Sequence, residues 1–370
     1  MKVGLVKEVK PGEGRVALTS EGARELVQAG LVVTVQAGAG IAGGFPDSAY
    51  ARAGALVVPN ASDVFAQAEL VVKVKEIERH EVALLRPTHT IFAYLHARMF
   101  HEVTSQAMAA GCTGLTYEEV VLPDGTRPLL QPMSRIAGKL GFVKALEYLQ
   151  SIRGGSGVLA MAVEGVAPPK VLVLGAGVVG SAAAEVALAL GNVCHVVEID
   201  DARRATLKKR LPAVQVHPST EATIRALLPE MDVVMNAATV PAHSPTHLIA
   251  RSMLRLMKRS AIIVDVSCDV AGAIETCRLT THQDPVCEVD GIRHYCVDNI
   301  PGAVPVTASR ALCAATFPYV KRLAELGPAA AVRENPALAR AVVFARGRAT
   351  NAAFAEVLGL SAHDVLEVLR

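Results

Sequence analysis

Lys170-Val-Leu-Val-Leu-Gly-Ala-Gly-Val-Val-Gly-Ser-Ala-Ala-Ala-Glu185 joins an apolar run, a glycine turn and an Ala-rich segment without interruption. Residues 171–174 are short and wholly aliphatic, as a strand buried on both faces of a parallel sheet requires. Gly175, Gly177 and Gly180 follow at the G-x-G-x-x-G spacing, and residues 181–190 read as a helix. The first glycine permits a tight turn, the second lets backbone approach a pyrophosphate, and the third lets helix pack closely on strand. The unpaired N–H groups of the helix start attract the anion. A second strand, 193–197, runs into Glu198, 18 residues beyond Gly180. That is where a carboxylate accepts hydrogen bonds from an adenosine ribose. Glycines alone mark many ordinary turns, but strand, turn, helix and acid in this order predict a dinucleotide site.

The rest of the chain must supply a second domain, since 370 residues are about two domains long. Hydrophobic residues make up 51% and charged ones 19%, enough apolar material for two cores and too little charge for global disorder. There is no Trp, so the cores are aliphatic. A net charge of +2 gives no electrostatic reason to expect nucleic acid or an anionic membrane as partner. The seven cysteines (112, 194, 268, 277, 287, 296 and 313) contain no CxxC pair, and the run from 268 to 296, at intervals of 9 or 10, matches no zinc spacing. Reduced thiols and no metal site are expected. The N-terminus lacks a signal-peptide core, and no uninterrupted apolar stretch has transmembrane length, so a soluble, cytoplasmic protein is expected.

Residues 1–117 alternate aliphatic runs (3–6, 32–35, 56–58, 70–74, 91–95, 114–117) with helical patterns (19–29, 46–53, 82–85, 100–110), with Thr19 or Ser20 as first cap. Pro123-Asp-Gly-Thr-Arg-Pro128 is a turn-rich break. A long amphipathic helix over 134–151 leads through Gly154-Gly-Ser-Gly157 into the nucleotide unit, which continues with buried strands at 232–237 and 261–266. After Pro305 the pattern is helical again (309–326 and 336–346). The fold class is therefore α/β: two doubly wound, Rossmann-like parallel-sheet domains with a cleft between them. One is discontinuous, 1–128 plus 306–370, and carries substrate; the other, 129–305, carries the dinucleotide.

Ligands of open parallel sheets bind beyond the carboxyl ends of the strands. Arg15, Lys75, His96 and Asp269 each fall just past such an end. Alone each is unremarkable; their shared address raises the joint reading. Arg15 can fork two N–H groups onto a carboxylate. Lys75 can polarise a 2-oxo group and stabilise developing oxygen charge. His96 can exchange a proton near neutral pH, and Asp269 can order or deprotonate water or ammonia. Such a set suits oxidation of a 2-amino acid to a 2-oxo acid with hydride delivered to NAD. On their strand-end loops, Arg15 and Lys75 should be removable without harm to folding.

At these residues the sequence resembles the L-alanine dehydrogenase family, which shares ancestry with the NAD-binding part of proton-translocating transhydrogenase. The motifs lie in collinear order over nearly the whole chain: Gly14-Arg-Val-Ala-Leu-Thr19, Leu70-Val-Val-Lys-Val-Lys-Glu76, Tyr94-Leu-His96, Pro132-Met-Ser134, Gly175-Ala-Gly-Val-Val-Gly180, Val264-Asp-Val-Ser-Cys-Asp269 and Tyr295-Cys-Val-Asp-Asn-Ile-Pro301. The resemblance implies a homohexamer interconverting L-alanine, NAD and water with pyruvate, ammonium and NADH. It makes Arg15 and Lys75 the substrate-binding pair and His96 and Asp269 the proton-transfer residues. It places Ser134, Val178, Val179, Glu198, Arg203, Thr220, Val240 and Asn299 around the cofactor. Glu198 stands where the family has Asp; a carboxylate remains, so NAD is expected, while Arg203 and Arg204 leave NADP open. Arg135, Ser156, Val306 and Ala314 depart from the family pattern without removing a proposed catalytic group, and leave closure, subunit contacts and substrate choice open. Two alternatives stand beside alanine oxidation: a dehydrogenase of another small 2-amino acid, and a non-catalytic, transhydrogenase-like NAD(H)-binding module. The latter would need none of Lys75, His96 and Asp269.

Overall fold

The computed structural model describes residues 1–240, 247–268 and 272–370. The chain divides into two compact units, Met1–Met133 with Val304–Arg370, and Ser134–Ala303.

The first unit opens with six parallel strands: β1 (Val3–Leu5), β2 (Val33–Gln36), β3 (Leu56–Val58), β4 (Leu70–Val72), β5 (Thr90–Ala93) and β6 (Thr113–Thr116). They lie in the order β3-β2-β1-β4-β5-β6. Val3 is flanked by Val33 on one side and Leu70 on the other, so the winding direction reverses between β1 and β4. A ligand crevice belongs at such a reversal. The first helix, Ser20–Gln28, is capped by Thr19, whose side chain accepts from Gly22 N at 3.2 Å. It buries Gly22, Ala23 and Leu26 on one face.

The second unit holds β7 (Lys170–Leu174), β8 (Val193–Glu198), β9 (Gln215–Pro218), β10 (Val233–Asn236), β11 (Ile262–Asp265), β12 (Val286–Val289) and β13 (Ile292–Tyr295). Their order is β12-β13-β11-β10-β7-β8-β9, all parallel except the edge strand β12. β7 sits at the reversal between β8 and β10. Aliphatic clusters pack on both faces of this sheet, one around Phe142, Val171, Val173 and Val196, the other around Leu172, Val234 and Ile263. The β12–β13 hairpin is absent from the sequence reading. It turns on Asp290-Gly291, both with positive φ (52° and 79°), the backbone that an Asp-Gly pair accepts most readily. The helix after the glycine turn spans Val178–Ala189 and so starts three residues before the expected one. Two valines occupy its first turn, and the Ala-rich segment marks its middle.

The chain then returns to the first unit. Pro305–Glu334 is helical except at Gly327 (φ 74°, ψ 164°), where two helices meet. The helix expected over 336–346 stops at Ala341. Val342-Val-Phe-Ala345 is buried throughout and forms β14 (Val342–Ala345), antiparallel to β6. It turns through Arg346 and Gly347, both at positive φ, into β15 (Arg348–Ala349). An apolar run of four looked like the end of a helix because the two left-handed turn residues went unread. Among the described residues no helix is long and apolar enough to cross a membrane.

Candidate active site

β1, β4 and β5 are neighbours, so their carboxyl ends open at one place in the first unit. Arg15 follows β1, Lys75 follows β4 and His96 follows β5. Pairing continues beyond the strands: Lys73 N donates to Phe92 O and Tyr94 N to Val74 O, each at 3.1 Å. Lys75 and His96 therefore leave the sheet side by side. Both Arg15 and Lys75 are buried, at 3% and 9% exposure, while the His96 side chain is 38% exposed. His96 has φ of 44°, a left-handed conformation that costs a non-glycine residue energy.

The Arg15 head is not a solvated charge. Its Nε donates to Glu13 Oε1 at 2.7 Å and its Nη2 to Glu13 Oε2, while Nη1 points at Met133 Sδ, 3.1 Å away. One edge of the guanidinium is thus taken by Glu13. Burial opposes ionisation of Glu13, but the Arg15 hydrogen bonds and charge, helped by Lys75, hold its carboxyl below the usual range. The expectation that Arg15 could be removed without harm to folding does not fit this burial, because truncation would take away the charge that holds a buried carboxylate ionised.

Two further carboxylates shape the site. Glu8 Oε1 accepts from Val74 N at 2.6 Å, pinning the segment that ends in Lys75. Its other oxygen faces Lys73, fully buried, whose Nζ lies 3.8 Å from Glu8 and 2.7 Å from Glu81. Burial pushes the Glu8 carboxyl up to about 7 against the pull of Lys73. Glu118 Oε1 lies 2.9 Å from His96 Nδ1 and accepts from the His96 backbone N–H at 2.9 Å. Burial disfavours the Glu118 charge, yet His96 and Thr116 hold the carboxyl low. With Nδ1 committed to Glu118, Nε2 is the nitrogen left for chemistry. The His96 ring stacks on Tyr94 at 6.1 Å, and Tyr94 donates to Leu129 O at 2.6 Å.

In the second unit the glycine turn has the shape a pyrophosphate needs. Gly175 has φ of 93°. A Cβ on Gly180 would stand 2.0 Å from Gly175 O, whereas a Cβ on Gly177 would meet nothing within 4 Å. That open cradle faces a helix start, Val178 and Val179, whose N-cap makes no side-chain hydrogen bond. Glu198 is buried beside the turn, its Oε2 accepting from Ala176 N at 2.7 Å and its Oε1 from Asp200 N at 3.0 Å. Ser219 N donates to Glu198 O, which brings the segment ending in Thr220 alongside; Thr220 caps the next helix through Thr223 N. Arg203 is exposed, while Arg204 Nη1 donates to the Glu198 and Ile199 carbonyls. Ser134 lies in the first turn of the Gln131–Tyr148 helix, one turn before Gly138. A Cβ on Gly138 would stand 2.2 Å from Val179 O, so this glycine lets the helix abut the dinucleotide turn. Val240 follows β10, and Asn299, at φ of 59°, follows β13. Asp269 lies outside the described residues.

Comparison with known proteins bears on this arrangement. Residues 4–137 match the family described as alanine dehydrogenase/PNT, N-terminal domain, and residues 142–352 match its C-terminal domain. The chain belongs to the alanine dehydrogenase/PNT family. It is 40% identical over 361 residues to an alanine dehydrogenase of Halomonas elongata, covering 97% of each chain. A solved L-alanine dehydrogenase superposes with a TM-score of 0.93 at 40% identity, over 97% of this chain and 99% of that one. A transhydrogenase from Sinorhizobium meliloti superposes with a TM-score of 0.80 at 25% identity, over 95% and 99%. Membership in this oxidoreductase family, with its Rossmann-like fold, implies a nicotinamide dinucleotide cofactor and small-molecule substrates. The open cradle at Gly177 and the uncapped helix start fit such a group. The four departures from the family pattern, Arg135, Ser156, Val306 and Ala314, all occupy exposed positions.

Sequence reasoning missed Glu13, Glu118, Glu8 and Gly138. Glu13, two residues before Arg15, was legible as a local ion pair. Glu118 is 22 residues from His96 and carried no local signal.

Proposed function

We propose that this chain catalyses the reversible NAD-dependent oxidative deamination of L-alanine to pyruvate and ammonium. The observation that carries the reading is the convergence of Arg15, Lys75 and His96 at the ends of adjacent strands, each braced by a carboxylate. The first unit then handles substrate and the second the dinucleotide. Gly175, Gly177 and Gly180 with Val178 and Val179 take the pyrophosphate, and Glu198 takes the adenosine ribose. Ser134, Arg203, Thr220, Val240 and Asn299 complete the cofactor's surroundings. Glu198 favours a 2′-hydroxyl over a 2′-phosphate, hence NAD over NADP.

Held by the glycine turn and Glu198, the dinucleotide would supply the hydride acceptor for the substrate Cα. Arg15 meets the substrate carboxylate with its guanidinium charge, and Lys75 stabilises the oxygen that becomes the ketone. Loss of hydride and one amine proton gives the 2-imino acid. Water activated by Asp269 adds to the imine carbon, and His96 passes a proton to the departing nitrogen, which leaves as ammonia and is protonated to ammonium. The working protein is a cytoplasmic homohexamer in this reading.

The test is NADH formation with a panel of small 2-amino acids. Alanine should give the highest kcat/KM; a better rate with another amino acid would reassign the substrate, and no rate with any would favour a non-catalytic dinucleotide-binding module.

A further inference from the structure

Three of the seven thiols meet where β11, β13 and the 274–280 segment come together. β11 and β13 pair as far as Val264↔Tyr295, which puts Asp265 and Cys296 at the next step of the ladder. The third segment is tied on by Thr280 N to Cys296 O at 3.0 Å and Cys296 N to Thr280 Oγ1 at 3.2 Å. The Cys296 sulfhydryl is within hydrogen-bonding reach of both Cys268 and Cys277, and Cys277 is within reach of the Asp265 carboxylate. Asp265 is itself buried and accepts from Asn236 Nδ2 at 2.7 Å and Ser267 N at 3.0 Å. None of the cysteines is in a disulfide, and the proposed reaction uses no sulfur. Among the described residues no cluster of His, Cys, Asp and Glu is arranged to hold a metal ion.

We propose that Cys268 and Cys296 form a peroxide-oxidisable thiol pair whose closure to a disulfide clamps the loops after β11 and β13. Cys268 is half-buried and Cys296 is 1% exposed, so an oxidant reaches Cys268 first and Cys296 waits behind it as the resolving thiol. The Cys268 sulfur displaces water from hydrogen peroxide and becomes a sulfenic acid. The Cys296 sulfur then attacks it, the S–S bond forms, and the sulfenic hydroxyl leaves as water with the Cys296 proton. Two thiols are oxidised by two electrons and one peroxide is reduced to two waters. Although the Cys296 hydrogen bond favours the Cys277 thiolate, burial and the Asp265 carboxylate outweigh it and push that thiol up to about 11. The Cys268 hydrogen bond favours the Cys296 thiolate, but the Cys277 hydrogen bond and burial outweigh it and raise that thiol as well; protonation therefore does not separate Cys277 from Cys296, and the cross-link map does.

Cys268 immediately precedes Asp269, and Cys296 stands three residues before Asn299. A bond between them ties the segment that leads to Asp269 in the sequence to the one that leads to Asn299, so the effect on turnover rests on the proposed function while the disulfide chemistry does not. The experiment treats the full-length protein with hydrogen peroxide, counts thiols after denaturation and maps non-reduced peptides by mass spectrometry. The wild type should lose two thiols per chain, yield a Cys268–Cys296 cross-linked peptide and recover with dithiothreitol. Cys268→Ser should form no cross-link, and Cys287→Ser, altered outside the cluster, should cross-link like the wild type. Sulfinic acid at Cys268 without a bridge, or a Cys277–Cys296 bridge that forms equally in Cys268→Ser, overturns the assignment. Alanine-dependent NADH formation should fall at least tenfold on oxidation and return on reduction; a bridged protein with unchanged turnover overturns the clamp. A protein with no alanine turnover before oxidation defeats the functional reading instead, and the cross-link map still judges the thiol pair.

Discussion

One oxygen of Glu118 governs His96 twice: Oε1 lies 2.9 Å from Nδ1 and also accepts the His96 backbone N–H at 2.9 Å. The carboxylate therefore fixes both the ring and the left-handed backbone that carries it. Glu118→Gln keeps an acceptor for the backbone but removes the charge that stabilises an imidazolium. We expect kcat to fall about tenfold or more, part of the ~10²–10⁴ that a general acid–base group contributes, with NADH affinity unchanged. Because His96 holds the Glu118 carboxyl below its ordinary 4.5, the charge stabilises the fold above that pH and the contribution is lost as pH falls through the lowered value. Thermal melts should accordingly separate wild type and variant at neutral pH and bring them together in acid.

Arg15 and Glu13 form a buried pair, and breaking it from one side should be costly. Arg15→Met removes the charge to which both Glu13 oxygens are hydrogen-bonded, and breaking a buried pair from one side costs about 3–5 kcal/mol. The melting temperature should drop, and the KM for pyruvate should rise. Adding Glu13→Gln should restore much of the melting temperature but none of the pyruvate affinity. Joint recovery of both properties would make Arg15 a structural residue only.

Glu8 should give the opposite pH signature to Glu118. Its folded value of about 7 lies above the ordinary 4.5, so its protonated form favours the folded state. That contribution is complete below pH 4.5 and is lost as pH rises through 7. Glu8→Gln is neutral at every pH and can still accept from Val74 N. Melting temperatures between pH 5 and pH 8 should decline less for the variant than for the wild type; parallel curves would exclude Glu8 as the titrating group.

The glycines of the dinucleotide turn should separate binding from folding. Gly177→Ala puts a methyl group into open space, so the fold should survive while NADH affinity falls. Gly180→Ala drives a methyl group to 2.0 Å from Gly175 O and should lower the melting temperature itself. At Glu198, NAD should be preferred over NADP by about tenfold or more, roughly 1.4 kcal/mol. Equal use of both cofactors would point to Arg203 as a phosphate partner.

Legibility followed distance along the chain. The glycine turn, its strands and Glu198 lie within 29 residues of one another and announce the dinucleotide fold by spacing alone. Strand ends singled out Arg15, Lys75 and His96, because the address is a property of each short segment. What escaped was long-range or read from the wrong period. Glu118 reaches His96 across neighbouring strands, and Glu8 reaches Val74 across the β1–β4 reversal. Val342–Ala345 became an edge strand because β6 offered it a partner and Arg346-Gly347 could turn it back, neither of which its own composition shows.

The most direct test is a parallel measurement of NADH binding by fluorescence and steady-state alanine turnover, for the wild type and His96→Asn. Asparagine tolerates the left-handed backbone at this position, so the substitution isolates the imidazole. The account predicts that the wild type converts alanine and NAD to pyruvate and NADH. It predicts that the variant binds NADH with unchanged affinity and loses about 10²–10⁴ in kcat. A wild type that forms no NADH from alanine, or a variant with near-normal turnover, would contradict it.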